Sequence, residues 1–206
     1  KEARLFIFKN RLLFWTILLD LASMLFCGIV VLLPIFTQDI LHQGTEGLGI
    51  LRAAPAIGAC IMMLCLTYCS PMQHAWRNML WSTLGIACCT LTFALSPLFW
   101  LSVILLVILG ALDSISIVIR QTLFQQIPPK ELLGRVSALN GILVTSGNQF
   151  GALQASFITR YLTVVPATLI GGSICLLISS ISFICTRDLL KTSLNHDKDT
   201  ILTAEK

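Results

Sequence analysis

Apolar runs of membrane-spanning length recur along almost the whole chain. Six are evident, and they extend from Phe14 to Phe36, Ile50 to Cys69, Leu80 to Leu95, Leu98 to Ile119, Val136 to Ile158, and Val164 to Cys185. A hydrocarbon core of about 30 Å needs about 20 apolar residues per helical crossing. Backbone amides in lipid must bond within their own segment, and these runs lack the alternation of barrel strands. The pattern predicts an all-α membrane protein with six transmembrane helices.

The segments between these runs are short, which favours one compact bundle of neighbouring helices. We therefore predict a cytoplasmic N-terminal segment at residues 1–13, a six-helix bundle at residues 14–185, and a polar cytoplasmic tail at residues 186–206. The glycines predicted to lie in turns are Gly44, Gly47 and Gly49 in the first outer loop and Gly134 after the fourth helix. Pro128 and Pro129 are predicted to end that fourth helix.

Composition and charge placement support this class. The chain has 206 residues, of which 56% are hydrophobic and only 12% charged, too apolar for an ordinary water-soluble domain of this length. If the N-terminus is cytoplasmic, every Lys and Arg except Arg52 and Arg160 lies on the cytoplasmic side. The expected localisation is a bacterial-type inner membrane, with both termini cytoplasmic. The net charge of +4 is thereby explained, and it gives no support for nucleic-acid binding.

The cysteines follow the apolar runs. All eight lie in or at the ends of these runs, with no CxxC spacing and no Cys/His cluster in a loop. We therefore expect small, buried, apolar side chains rather than disulfides or metal ligands. No metal and no cofactor is predicted.

The fourth run carries charges inside an otherwise aliphatic segment. At 100° per residue, Gly110, Asp113, Ser116 and Arg120 share one face, with Gln121 at its margin. A charge near the bilayer interior costs about 2.5 to 3.5 kcal/mol, so these side chains are expected to face protein or a water-filled cavity.

Asp20 poses the same question in the first run. Asp20 and Asp113 each lie about six residues from the cytoplasmic end of their apolar runs, which places both roughly 9 Å deep. The two acids are therefore predicted to share one level, and both are candidates for proton coupling. The fifth run adds amide and hydroxyl groups at Ser137, Asn140, Asn148, Gln149 and Gln154.

These polar residues can also have purely structural roles, as ion pairs or hydrogen bonds that hold the bundle together, and the sequence leaves both interpretations open. Asp113 can pair with Arg120, two turns away, or with a residue on another helix, because buried charges are usually paired. Asp20 can reach interfacial water, and Arg52 can extend to the outer surface or meet a carboxylate of the outer loop. The amides of the fifth run are equally suited to bonds between helices.

Two stretches resemble a known family. They are "LLPIFTQDILHQGTEGLGILRAAPAIGA" and "LGALDSISIVIRQTLFQQIPPKELLGRVSALNGILVTSGNQFG". Both are similar to the C-terminal six-helix half of exporters of the major facilitator superfamily, in the branch that includes the enterobactin exporter. The resemblance covers about Phe14 to Cys185, and its most specific pieces are "LRAAPAIGA" and "GRVSALN".

The resemblance implies a half of the family's fold, built as a three-plus-three inverted repeat. The first and fourth helices would line the central cavity, with the second and fifth contributing less directly. It places Asp20, Arg52, Asp113, Asn148 and Gln149 on or near the transport path, and the polar face of the fourth helix adds Ser116, Arg120 and Gln121 as cavity or substrate candidates.

The sequence departs from the family pattern in two ways. The basic cytoplasmic motif after the second helix is reduced to "SPMQHAWRN", in which Arg77 is the remaining charge, and an N-terminal half is not in this sequence. We expect this chain to supply one wall of the transport path, with a second six-helix half in the same longer chain or in another subunit. The resemblance implies a secondary, proton-coupled exporter or antiporter of small molecules such as drugs or siderophores.

Two other classes compete with this interpretation. A non-transporting membrane scaffold, or a truncated remnant of a transporter, would share the same apolar pattern. An intramembrane enzyme is not predicted, because the chain has no HExxH or GxSxG motif and its three histidines lie in loops or the tail. Hydration separates the first two classes, since a transporter half should leave Asp20 and Asp113 accessible to water.

Overall fold

The computed structural model describes residues 11–26, 29–68, 75–161 and 163–185. Within these ranges the helices are α1 (Arg11–Phe26), α2 (Ile29–Asp39), α3 (Thr45–Tyr68), α4 (Ala75–Leu95), α5 (Phe99–Gln126), α6 (Lys130–Tyr161) and α7 (Val164–Cys185). No strand occurs in the described part of the chain. The predicted tail at residues 186–206, and most of the predicted N-terminal segment, lie outside it.

The predicted membrane helices are confirmed as helices, with α1 and α2 together occupying the first apolar run. Five segments are long and apolar enough to cross a membrane: Leu13–Asp39, which combines α1 and α2, then α3, α4, α5 and Val164–Ile184 in α7. The remaining helix, α6, has 32 residues and is therefore about 48 Å long. It is less apolar than the others because Asn140, Asn148, Gln149 and Gln154 interrupt its hydrophobic residues.

With α1 and α2 taken together, all the helices except α7 are longer than the apolar runs that predicted them. The α5 helix continues seven residues past Ile119, and α6 begins at Lys130, six residues before Val136. The predicted turn at Gly134 is therefore wrong, and so are those at Gly47 and Gly49, which lie within α3. The apolar pattern marks only the part of a helix that lies in hydrocarbon, whereas the polar ends extend beyond it.

Contacts between helices follow a two-fold pattern. The α5 helix packs on α3 and α4, whereas α1 packs on α6 and α7, and α4 also packs on α7. With α1 and α2 counted as one helix, the first triplet is α1/α2, α3 and α4, and the second is α5, α6 and α7. The first helix of each triplet thus contacts the second and third helices of the other triplet. This exchange is the arrangement expected of a three-plus-three inverted repeat.

Small residues bring the exchanged helices into backbone contact. A Cβ on Gly58 of α3 would overlap the carbonyl of Val107 in α5, and one on Gly110 of α5 would overlap the carbonyl of Pro55 in α3. On the other side, a Cβ on Gly151 of α6 would overlap the carbonyl of Met24 in α1. Gly58 in "RAAPAIGA" and Gly151 in "GNQFG" therefore lie where two helices approach closely.

The two larger of three apolar clusters in the described residues lie at opposite ends of the bundle, and the third surrounds Ile86, Ala87 and Cys175. One contains Leu19, Trp76, Ile119 and other residues of α1, α4, α5 and α6. The second contains Phe36, Leu51, Leu106 and their neighbours from α2, α3 and α5, and there the rings of Phe36 and Phe93 meet edge to face with centroids 4.9 Å apart. Polar side chains of α1, α5 and α6 lie near and between these cores.

The expectation that the cysteines are buried holds for only part of the described set. Cys175 is buried, but Cys60, Cys65 and Cys88 are exposed on the outer surfaces of α3 and α4. Membrane helices place apolar side chains on their outer surfaces, where lipid replaces water, so an apolar run alone does not predict burial within the protein.

Candidate functional site

A buried ion pair joins α1 to α5. The guanidinium of Arg120 contacts the carboxylate of Asp20, and the two residues are only 4% and 5% exposed. The pair links the first helix of one triplet to the first helix of the other. Arg120 is therefore paired across helices with Asp20, and the alternative in which it pairs with Asp113 along α5 is wrong.

The ion pair also corrects the predicted depth of the two acids. Asp113 precedes Arg120 by seven residues, or about 10 Å along the helix axis, so Asp20 lies near the level of Arg120 rather than that of Asp113. The prediction that both acids share one level failed because α5 extends to Gln126, well beyond the end of its apolar run. Asp113 is consequently deeper in the bundle than the sequence pattern indicated.

A cleft of about 330 Å³ opens beside this pair, between α1, α2, α4, α5 and α6. Its lining residues are Ser23, Met24, Val30, Val31, Ile86, Leu109, Asp113, Ile117, Arg120, Val144, Asn148 and Ala152. Of the predicted candidates, the cleft brings together Asp113, Arg120 and Asn148. Asp20 does not line the cleft, but it contacts Arg120, which does. The rest of the lining is mostly aliphatic.

Asp113 faces the cleft from α5. Leu109, Ile117 and Arg120 lie within about 40° of it around the helix and line the same space. Among the residues that the structure describes, Asp113 has no ion-pair partner, in contrast to Asp20. An acidic side chain is thus held at a partly apolar cleft while the nearest guanidinium is engaged by another carboxylate.

Arg120 has hydrogen-bonding capacity beyond its ion pair. Its Nε–H is buried and has no hydrogen-bond partner among the described protein atoms. Buried donors of this kind are rare, because an unsatisfied polar group costs about 1 to 3 kcal/mol. Arg120 also lines the cleft, so its guanidinium forms part of the cleft wall.

The other predicted candidates lie away from the cleft. Ser116 is buried, whereas Gln121, Gln149 and Arg52 are exposed on α5, α6 and α3. Arg52 forms no ion pair with Asp39 or Glu46, although the structure describes all three side chains. These candidates are therefore not part of the Asp113 cleft.

Sequence reasoning missed the contributions of α1 and α2 to the cleft wall. Ser23 and Met24 come from the last turns of α1, and Val30 and Val31 from the first turn of α2. The sequence gives little indication that these residues line a cleft, because they belong to a continuous apolar run. In the part of the chain that the structure describes, no group of His, Cys, Asp or Glu side chains is arranged to hold a metal ion.

The described helices form two triplets beside a mostly aliphatic cleft that contains one acid and one guanidinium, an arrangement that fits half of a membrane transporter. A family model described as the Major Facilitator Superfamily matches residues 1–152. This chain belongs to the Major Facilitator Superfamily. It is accordingly a multi-pass membrane protein of a family that moves small molecules across membranes, and no feature of the matched relatives favours a scaffold.

The matched relatives carry the name enterobactin exporter EntS. The protein from Citrobacter koseri is 29% identical over 131 residues, which is 64% of this chain and 32% of the relative. The protein from Shigella flexneri is 28% identical over 155 residues, or 75% of this chain and 37% of the relative. The matches thus span about a third of the length of these relatives. No solved structure matches the chain.

Proposed function

We propose that this chain forms one half of a proton-coupled exporter, and that Asp113 carries the coupling proton. The observation that supports the proposal is the cleft in which Asp113 stands without an ion-pair partner, among the described residues, beside a guanidinium already bound to Asp20. A carboxylate in this setting can bind a proton when the cleft opens to one side and release it when the cleft opens to the other. Charged groups inside membrane helices are typical of such proton pathways.

Asp20 has a different role in this proposal. Its buried bond to Arg120 fixes α1 against α5, so that the two triplets move as one body. Arg120 in turn lines the cleft, where its positive charge can attract an acceptor group of the substrate. Of the two acids predicted for proton coupling, Asp113 is thus the carrier and Asp20 the anchor of the cleft wall.

The remaining parts of the transporter follow from the same scheme. A second six-helix half, in the same longer chain or in another subunit, closes the cleft from the opposite side, because alternating access requires two halves around a central site. The positive-inside distribution of Lys and Arg favours an inner-membrane protein with both termini in the cytoplasm. The relatives' name suggests a small amphipathic or siderophore-like substrate.

Proton flux in membrane vesicles tests the proposal. Inside-out vesicles from cells expressing the native gene are acidified internally, and enterobactin or ethidium is added as the probe. We expect uptake of one probe together with release of internal protons, both abolished by a protonophore and absent in vesicles lacking the gene. Uptake that persists at full rate after the gradient collapses would show that transport is not coupled to protons.

A further inference from the structure

A second groove lies on another side of the bundle. It has a volume of about 920 Å³, and residues of α3, α4, α5 and α7 form it. Its walls include Leu66, Arg77, Trp81, Leu112, Ile115 and Phe183, none of which lines the Asp113 cleft. The groove opens at the end of α3 and the start of α4, on the side to which the positive-inside pattern assigns the cytoplasm.

Arg77 lies at the mouth of the groove, in the first turn of α4. Among the described residues that line the groove, it is the only charged one. Its side chain is exposed and has no ion-pair partner in the described part of the chain. The hydroxyl of Ser82 instead donates to the backbone carbonyl of Asn78 at 2.9 Å, so this polar group is used within the helix.

The groove becomes apolar away from Arg77. Trp81 lies one turn further along α4 and is 64% exposed. Its indole ring combines an apolar body with one N–H donor, which is the chemistry found at the level of lipid headgroups. Leu112 and Ile115 of α5 extend the same surface toward the middle of the bundle.

We propose that this groove binds an anionic phospholipid. The Arg77 guanidinium pairs with the lipid phosphate, and an acyl chain lies along Trp81, Leu112 and Ile115. Basic pockets between membrane helices on the cytoplasmic side bind anionic headgroups in this way. A free phosphate would use Arg77 but would gain nothing from the apolar walls. A zwitterionic lipid offers the same phosphate, but the cationic group of its headgroup offsets part of the attraction to Arg77.

Quenching of Trp81 by brominated lipid measures occupancy directly. The purified full chain is placed in phosphatidylcholine vesicles containing a fixed fraction of either brominated phosphatidylglycerol or brominated phosphatidylcholine. The signal of Trp81 is obtained by subtracting that of a Trp81→Phe variant, since the chain has four tryptophans. We expect about fivefold stronger apparent binding of phosphatidylglycerol, the effect of roughly one basic residue near an anionic headgroup.

Two arginine variants separate the groove from general surface charge. Arg77→Gln should remove the preference for phosphatidylglycerol, whereas Arg77→Lys should keep most of it. Arg135→Gln removes an equal charge from an exposed position on α6 outside the groove and should leave the preference unchanged. Equal quenching by the two lipids, an equal loss in Arg135→Gln, or displacement of the lipid by inorganic phosphate would each overturn the assignment.

Discussion

Replacing Asp20 with asparagine is expected to lower the free energy of unfolding by about 3 to 5 kcal/mol. The substitution leaves the Arg120 guanidinium buried without its counter-ion, and breaking one side of a buried ion pair costs about this much. The pair is only 4% to 5% exposed, so solvent cannot replace the lost carboxylate. Titration of the purified protein from detergent into SDS, followed by circular dichroism, measures the change.

A double variant distinguishes the effect of losing the ion pair from the effect of leaving one charge buried without a partner. Asp20→Asn combined with Arg120→Gln removes both charges and is expected to recover most of the lost stability, because well-matched neutral groups can replace a buried ion pair at little cost. Asp113→Asn is the matched control and should change stability by less than about 1 kcal/mol, since it breaks no ion pair among the described residues. Equal destabilisation by Asp20→Asn and Asp113→Asn would contradict the assignment of Asp20 as the anchor.

Asp113→Asn is expected to reduce proton-driven transport by about 100-fold or more. Asparagine keeps the size and polarity of the side chain but cannot bind and release a proton, and positioned proton-transfer groups contribute about 10²- to 10⁴-fold. The vesicle assay described above measures the loss, with the probe that the wild-type protein transports. Binding of that probe should be retained within a fewfold, because Asn148 and Arg120 remain in the cleft.

Asp39→Asn provides the control for this second prediction. Asp39 is an exposed carboxylate at the end of α2, outside the cleft, and its replacement should leave proton-driven transport unchanged. Both variants must reach wild-type levels in the membrane. Full proton-driven transport by Asp113→Asn at that level would rule out Asp113 as the carrier and leave Asp20 or a group of the second half.

Much of the fold could be predicted because lipid imposes a simple rule on the sequence. Every apolar run had to form a helix, and each of the six runs does so in the described part of the chain. Helix ends could not be predicted equally well, since the polar turns before Val136 and after Ile119 carry no such constraint. Because the end of α5 was predicted at Ile119 instead of Gln126, Asp113 was predicted to lie closer to the end of its helix than it does.

The membership of the cleft was harder to predict than the fold. Helical periodicity correctly placed Asp113 and Arg120 on one face of α5, because this depends only on residues of one helix. The partner of Arg120 depends on how α1 and α5 are offset along their axes, which packing contacts set. The position of α1 is set in part by its contact with α6, where Gly151 approaches the backbone of Met24, and for this contact the sequence offers only a pair of small residues.

The packing contacts also show that the two acids are not counterparts in the repeat. The Met24 carbonyl approaches Gly151 as the Val107 carbonyl approaches Gly58, so Met24 and Val107 occupy corresponding positions of α1 and α5. Asp20 precedes Met24, whereas Asp113 follows Val107. The difference in their environments therefore agrees with different roles for the two carboxylates.

A proton-carrying Asp113 requires that water reach position 113 from the cleft. In a variant whose eight cysteines are replaced by alanine, Asp113→Cys and Ile108→Cys can be compared in native membranes with a membrane-impermeant thiol reagent. Ile108 is 43% exposed and lies about 140° from Asp113 around α5, outside the cleft. Because such reagents attack the thiolate, which forms in water, the thiol introduced at position 113 is predicted to react about tenfold faster than the one introduced at position 108. Reaction at position 113 as slow as that at position 108 would contradict the role assigned to Asp113.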